Sequence, residues 1–340
     1  MVSHAPTIMA TNATITAIPV KSESISVATA NILYAIFASL SILDNILICW
    51  LFLRNSQLLR LASSILIFSL AIIDILTGIL IMATPKTYGG IQIHLQGVDA
   101  VLYCTLVYSE YFIWTLGIAS CYIIAALSVE RLYMVSAAAK YKYVFTPTRT
   151  ILYVILIILW AGILNAPNFY HFYHNENITN PVPCGFRILA VDETASRAIY
   201  FTSFALRFAI PLVITITCYV GFMRKIRTAI TCISSANNVQ TGKRSRLMLR
   251  RLTRMCVLIS IAFCICWLPN QVYFVLRAQR LIKHNLAFHM FTKVLVSMNS
   301  AINLFIYTAS NLYFYNELIA LIKFICCCKR VQRKIGFLSA

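Results

Sequence analysis

The sequence predicts an all-α protein, a bundle of seven membrane-spanning helices followed by a short amphipathic eighth helix. Three observations carry this. Hydrophobic residues make up 60% of the 340 and charged residues only 11%, and the mean hydropathy of +0.79 is too apolar for a soluble domain of this size. Seven apolar stretches each approach or exceed the roughly 20 residues that cross a bilayer. The basic residues then fall almost entirely on one side of the resulting thread.

The stretches are Ala28–Leu53, Leu61–Ala83, Val101–Val135, Thr150–Ala166, Ala198–Met223, Leu252–Leu276 and Leu286–Ala309. The third and seventh carry polar residues, which a helix buried among other helices tolerates. After the seventh, Leu312, Tyr315, Leu318, Ile319 and Ile322 share one face of Asn311–Lys323, the pattern of an interfacial helix. The chain therefore divides into an N-terminal segment (1–27), a membrane domain (28–310), and an amphipathic helix with a tail (311–340). Met1–Ser26 lacks a basic start and a compact apolar core, so no cleavable signal is expected and the first span acts as its own signal.

Charge sets the orientation. With the N-terminus outside, the inner segments Arg54–Arg60, Glu130–Arg149, Arg224–Arg254 and Leu312–Ala340 carry net +2, +3, +9 and +4, together +18 of the formal +19. The excess is a positive-inside topology signal and gives no reason to invoke nucleic acid. Two glycosylation acceptors, Asn12 in Asn12-Ala13-Thr14 and Asn177 in Asn177-Ile178-Thr179, fall on the outer side. Of twelve cysteines, only Cys104 and Cys184 lie at the outer surface, where oxidation is possible, and they are expected to pair. Cys326, Cys327 and Cys328 follow the amphipathic stretch and are palmitoylation candidates.

The polar residues inside the spans occur in a particular order. They are Asn45 in LDNILI, Asp74 closing LAIID, Cys104 and Glu130-Arg131-Leu132 at the two ends of the third span, and Trp160 in the fourth. Pro211 and Tyr219 follow in the fifth, FCICWLP (Phe263 to Pro269) in the sixth, and Asn299, Ser300, Asn303 and Tyr307 in the seventh. In this order the chain resembles a rhodopsin-like (class A) G-protein-coupled receptor over nearly its whole length, most like the peptide-receptor branch.

The resemblance implies roles. Asp74, Ser120, Asn299, Ser300 and Asn303 match the residues that enclose a sodium ion, an allosteric modulator and the only cofactor expected. An unpaired carboxylate in hydrocarbon is costly, so Asp74 needs a cation or a dense set of donors; a protonated Asp74 in a structural network is the alternative. Glu130 and Arg131 match the switch that meets a heterotrimeric G protein, with Tyr219, Phe263, Trp267 and Tyr307 as its transmitting residues. Two departures stand out. Leu249 occupies the position of the usual acidic partner of Arg131, which predicts basal activity, and Leu304 replaces the usual proline, which predicts a smaller kink in the seventh span.

For the ligand, the aspartate position of amine receptors is Ile113, and the position of the retinal-bearing lysine of opsins is Ser297. The outer half is basic instead, with Arg207, Arg277, Arg280, Lys283, Lys293 and Lys86. A buried Arg207 needs a partner, either Glu110 or an anionic ligand group. The expected ligand-binding set is Glu110, Ile113, Trp114, Gly117, Arg207, Trp267, Asn270, Tyr273, Phe274, Arg277, Lys293 and Ser297. A neuropeptide or peptide hormone with an acidic group is the favoured ligand, and an acidic lipid or another small chemosensory compound the alternative. A multi-pass transporter is the remote reading, disfavoured because no internal repeat is visible. No nucleophile, base and orienter stand at workable spacing and no Cys/His spacing suits a metal, so no enzyme is expected. The tail VQRKIGFLSA holds one serine, which argues against arrestin recruitment through a phosphorylated tail and leaves Thr228–Ser245 as substitute sites. Membrane lipids are the remaining partner, and the plasma membrane the expected location.

Overall fold

The structure is a computed structural model and describes residues 21–84, 97–175, 184–187, 192–234, 239–283, 285–310, 315–320 and 323. Asn12, Asn177, Lys86 and Cys326 to Cys328 lie outside the described residues, as do the side chains of Leu249 and Tyr307.

Among the described residues, six helical segments are long and apolar enough to cross a membrane: Ala28–Arg54, Ala62–Ala83, Gly97–Ser136, Pro147–His171, Thr194–Thr228 and Val257–Arg277. The seventh span consists of Leu286–Ala301 and Asn303–Ser310, two helices separated at Ile302. The eighth helix is represented by 315–320, which is helical, and Glu317 there lies 3.6 Å from Arg54 at the end of the first span.

The packing follows from which faces are polar or small. Large apolar residues such as Leu43, Leu53, Leu159 and Ile163 are exposed, as lipid-facing positions are. One apolar core joins Ile48, Leu51, Leu66, Ile123, Leu127, Phe208, Phe263 and Trp267 from five spans. The first two spans approach closely at Gly78, where a Cβ would stand 2.8 Å from Ile42 Cγ1 and 2.9 Å from the Ala38 carbonyl. Helices in lipid associate through such close contact of small residues.

Between the fourth and fifth spans the chain makes a two-stranded antiparallel hairpin, β1 (Phe172–His174) against β2 (Cys184–Phe186). The expected disulfide between Cys104 and Cys184 is present and fastens β2 to the third span. Each fourth- and seventh-span start is capped as its sequence suggests: Thr146 accepts from Arg149 N before Pro147, and Asn285 accepts from Phe288 N.

Three irregularities depart from regular spans. A π-helical turn at Tyr103–Tyr108 leads to Glu110, whose φ of 57° is left-handed, so the third span is re-aimed just where that acid lies. A second π-helical turn, Ala205–Ala209, carries Arg207. The seventh span breaks at Ile302 although Leu304 is no proline. Beside the break, Asn45 Nδ2 donates to the Ser300 carbonyl at 2.9 Å, the acceptor that a regular helix would offer to the Leu304 N–H.

Candidate functional site

The hairpin end of the bundle holds two cavities divided by a wall of two indoles. Trp114 and Trp267 meet edge to face with centroids 6.1 Å apart, and both line each cavity. Gly117 permits this arrangement. A Cβ there would lie 2.1 Å from Trp267 Cη2, so only glycine lets the indole lie across the third span.

The larger cavity, about 530 Å³, lies between the third, fourth, fifth and sixth spans and the hairpin. A space of that size suits a peptide side chain or a small ligand. Arg207, Asn270, Phe274 and Trp267 line it, as do His171 and Tyr200, which sequence reasoning missed. Arg207 is not met by Glu110. Its Nε and Nη2 both donate to the Leu164 carbonyl, at 3.1 and 2.7 Å, because the fourth span ends there and that carbonyl has no helical successor to serve. Two of its five donors are used in this way, and no carboxylate balances its charge among the described residues. Trp267 Nε1 and Asn270 Oδ1, on two residues of the cavity lining, are fully enclosed and have no hydrogen-bond partner among the described residues.

Glu110 instead pairs with Lys293, Oε1 to Nζ at 2.5 Å, with both side chains buried. The left-handed turn at Glu110 points its carboxylate toward the seventh span, away from Arg207 on the fifth. Tyr34 adds its ring 5.3 Å from the ammonium. Beneath this pair lies the smaller cavity, about 20 Å³, lined by Ile113, Gly117, Lys293 and Ser297 of the expected ligand set. Three expected ligand residues line neither cavity. Glu110 is taken up by Lys293, Tyr273 is buried and its hydroxyl donates to the Asn285 carbonyl at the start of the seventh span, and Arg277 is exposed.

Asp74, Ser120, Asn299 and Ser300 also line the smaller cavity. Ser300 Oγ donates to Asp74 Oδ1 at 2.7 Å and Asn303 Nδ2 to Oδ2 at 2.6 Å. Ser41 Oγ donates to the Asp74 carbonyl at 3.1 Å, tying in the first span. The five residues expected to act together are therefore gathered, around a carboxylate whose two oxygens each accept from the seventh span. Hard oxygen donors beside room for one small body suit an alkali cation.

Below Trp267, the rings of Phe263 and Phe208 continue the stack, at 5.3 Å and 14° and then 6.1 Å and 19°. Pro269, which lacks the N–H to close the helical turn above them, lies within the sixth helix. At the far end, Glu130 is fully buried and its Oε2 lies 3.5 Å from Arg131 Nε. Tyr141, in the short helix Ala138–Val144, donates its hydroxyl to Glu130 Oε1 at 2.5 Å. Burial, then the hydrogen bond to Glu130, raises the Tyr141 phenol above its ordinary range, so it stays a donor. Sequence reasoning missed this tyrosine, which holds Glu130 from the short helix that follows the third span.

A family model, the 7 transmembrane receptor (rhodopsin family), matches residues 44–307. The chain belongs to this family. Among curated relatives, the receptor is 23% identical over 288 residues to galanin receptor 2b of Danio rerio, covering 84% of this chain and 72% of the relative. It is 23% identical over 242 residues to galanin receptor type 2 of Homo sapiens, with 70% and 58% covered. It is 26% identical over 215 residues to probable G-protein coupled receptor 21 of Mus musculus, with 60% and 58% covered. The receptor thus spans less than two thirds of the length of the latter two.

Because Tyr141 donates to the buried Glu130, Tyr141→Phe is expected to raise ligand-independent guanine-nucleotide exchange by about tenfold or more, since a hydrogen bond to a charged group is worth about 1.5–3 kcal/mol. Unchanged basal exchange would mean that Arg131 and its packing hold Glu130 without the tyrosine.

Proposed function

We propose that this receptor lies in the plasma membrane with its N-terminus outside, binds an extracellular neuropeptide or peptide hormone through an acidic group, and activates heterotrimeric G proteins. The observation that carries the reading is Arg207, a part-buried guanidinium lining the larger cavity with donors to spare and no carboxylate partner among the described residues. A ligand carboxylate there makes charge-assisted hydrogen bonds in a partly desolvated site. The galanin receptors among its relatives support a peptide over a lipid.

Ligand pressing on Trp267 moves a ring stacked on Phe263, and the sixth span can swing about Pro269. That motion opens the end where Arg131 leaves Glu130 for the G protein. The Asp74 cluster suits a sodium ion that would favour the closed arrangement when bound; Asp74 would supply the charge, with Ser120, Asn299, Ser300 and Asn303 as neutral donors. We also propose glycans on Asn12 and Asn177, acyl chains on Cys326 to Cys328, and arrestin engagement through Thr228–Ser245.

The test is G-protein dissociation in cells across several G-protein subtypes, driven by a pool of acetylated tetrapeptides with free C-terminal carboxylates and by fatty acids of matching length. Arg207→Ala is expected to reduce the peptide response at least tenfold. A peptide response untouched by Arg207→Ala would make the arginine structural, and a response to fatty acids alone would favour the acidic-lipid reading.

A further inference from the structure

His171 ends the helical turn that follows the fourth span and is the first buried polar side chain facing the hairpin. Its ring is held flat between Phe186 of β2 and Tyr200 of the fifth span, with centroids 5.5 and 6.0 Å away and interplanar angles of 18° and 19°. Its Nδ1 lies 2.9 Å from the Arg187 carbonyl. A carbonyl can only accept, so Nδ1 carries the proton and Nε2 of the neutral ring is an acceptor. Among the described residues Nε2 has no partner, and it is not among the fully enclosed polar atoms, although the residue is only 7% exposed. His171 lines the larger cavity together with Arg207, and Nε2 is accessible there.

The groups facing the ring are the aromatic faces of Phe186 and Tyr200 and the charges of Arg187 and Arg207. The Nδ1 proton, directed at the Arg187 carbonyl, leaves Nε2 as the acceptor of the neutral ring. The cavity thus offers a cationic donor and a neutral acceptor together. A fatty acid satisfies the first and places a methylene against the second, leaving Nε2 desolvated without a donor, which is unfavourable. A peptide C-terminus satisfies both, because its carboxylate and the amide N–H of the same residue are only about 3–4 Å apart by covalent geometry.

We infer that His171 is a specificity-determining residue: its Nε2 accepts the amide N–H of the ligand residue whose carboxylate lies on Arg207, so the cavity selects an N-acylated amino acid, such as a peptide C-terminus, over a simple fatty acid. This rests on the proposed role of Arg207 and adds the identity of the recognised group.

The test uses the acetylated tetrapeptide pool with free carboxylates, a second pool methylated only on the nitrogen of the last peptide bond, and G-protein dissociation as readout. On the wild type, methylation is expected to shift the half-maximal concentration upward about three- to tenfold, the worth of one hydrogen bond. In His171→Phe, which keeps a stacking ring and lacks the acceptor, the two pools are expected to act alike. Equal potency of both pools on the wild type, with the response still dependent on Arg207, overturns this inference and leaves the proposed function standing. So does a response that is indifferent to methylation and strengthens as pH falls, which would make His171 a cationic partner of the carboxylate. A peptide response independent of Arg207, or a pool without effect, counts against the proposed function as well.

Discussion

Lys293→Ala is expected to destabilise the receptor by about 3–5 kcal/mol, the range seen when one member of a buried ion pair is removed. The Glu110 carboxylate and the Lys293 ammonium are 4% and 8% exposed and 2.5 Å apart, so the substitution takes the counter-charge from a carboxylate already out of water. Tyr34, beside the ammonium, presents a ring face to it and carries no positive charge to replace it. Thermal unfolding in lipid discs reads the effect directly. Glu110→Gln with Lys293→Met is expected to be milder than either single change, because neither charge is left behind. A Lys293→Ala receptor within about 0.5 kcal/mol of wild type, the range of ordinary surface substitutions, would show that water screens the pair.

Gly117→Ala is expected to raise basal G-protein activation about tenfold and to blunt the ligand response. A new Cβ would lie 2.1 Å from Trp267 Cη2 and 2.6 Å from Cζ2, distances at which the indole must move. It cannot settle in place, since Trp114 meets it edge-on and Phe263 lies flat beneath it. Overpacking of this kind costs about 1–3 kcal/mol, and here the strain falls on the arrangement in which the indole crosses the third span. Relief comes from the sixth span swinging away. The displaced ring also intrudes on the larger cavity, which lowers ligand potency. Basal and stimulated nucleotide exchange measure both effects, and a Gly117→Ala receptor with wild-type values of each would mean that the indole has room the structure does not show.

Much of this architecture was legible in the sequence because lipid imposes a simple rule. Backbone polar groups must be satisfied within each span, so apolar length alone marks the helices, and the few polar residues inside them must meet one another. That is why Asn299, Ser300 and Asn303 could be set on one face by helical spacing and Cys104 with Cys184 by their shared side, while the grouping of the first three with Asp74 came from the resemblance to rhodopsin-like receptors. Where a residue's partner depends on local backbone, the sequence was silent. The left-handed turn at Glu110 follows a π-helical turn with no glycine or proline to mark it, and it sends the acid to Lys293 and not to Arg207. The break at Ile302 has no proline to mark it, and the bond beside it, Asn45 to the Ser300 carbonyl, comes from another helix. His171 and Tyr141 carry no signal of their own in FYHFYH or AAKYKYV; each matters only because the fold sets it beside Arg207 or Glu130.

Nucleotide exchange on purified heterotrimeric G proteins by the receptor in lipid discs, with and without the tetrapeptide pool, tests the central claim most directly. The account predicts exchange that rises with the pool on at least one G-protein subtype and is lost in Arg131→Ala. Exchange at background level on every subtype, together with radiotracer flux across receptor-containing vesicles that Asp74→Asn abolishes, would contradict it and make the bundle a carrier.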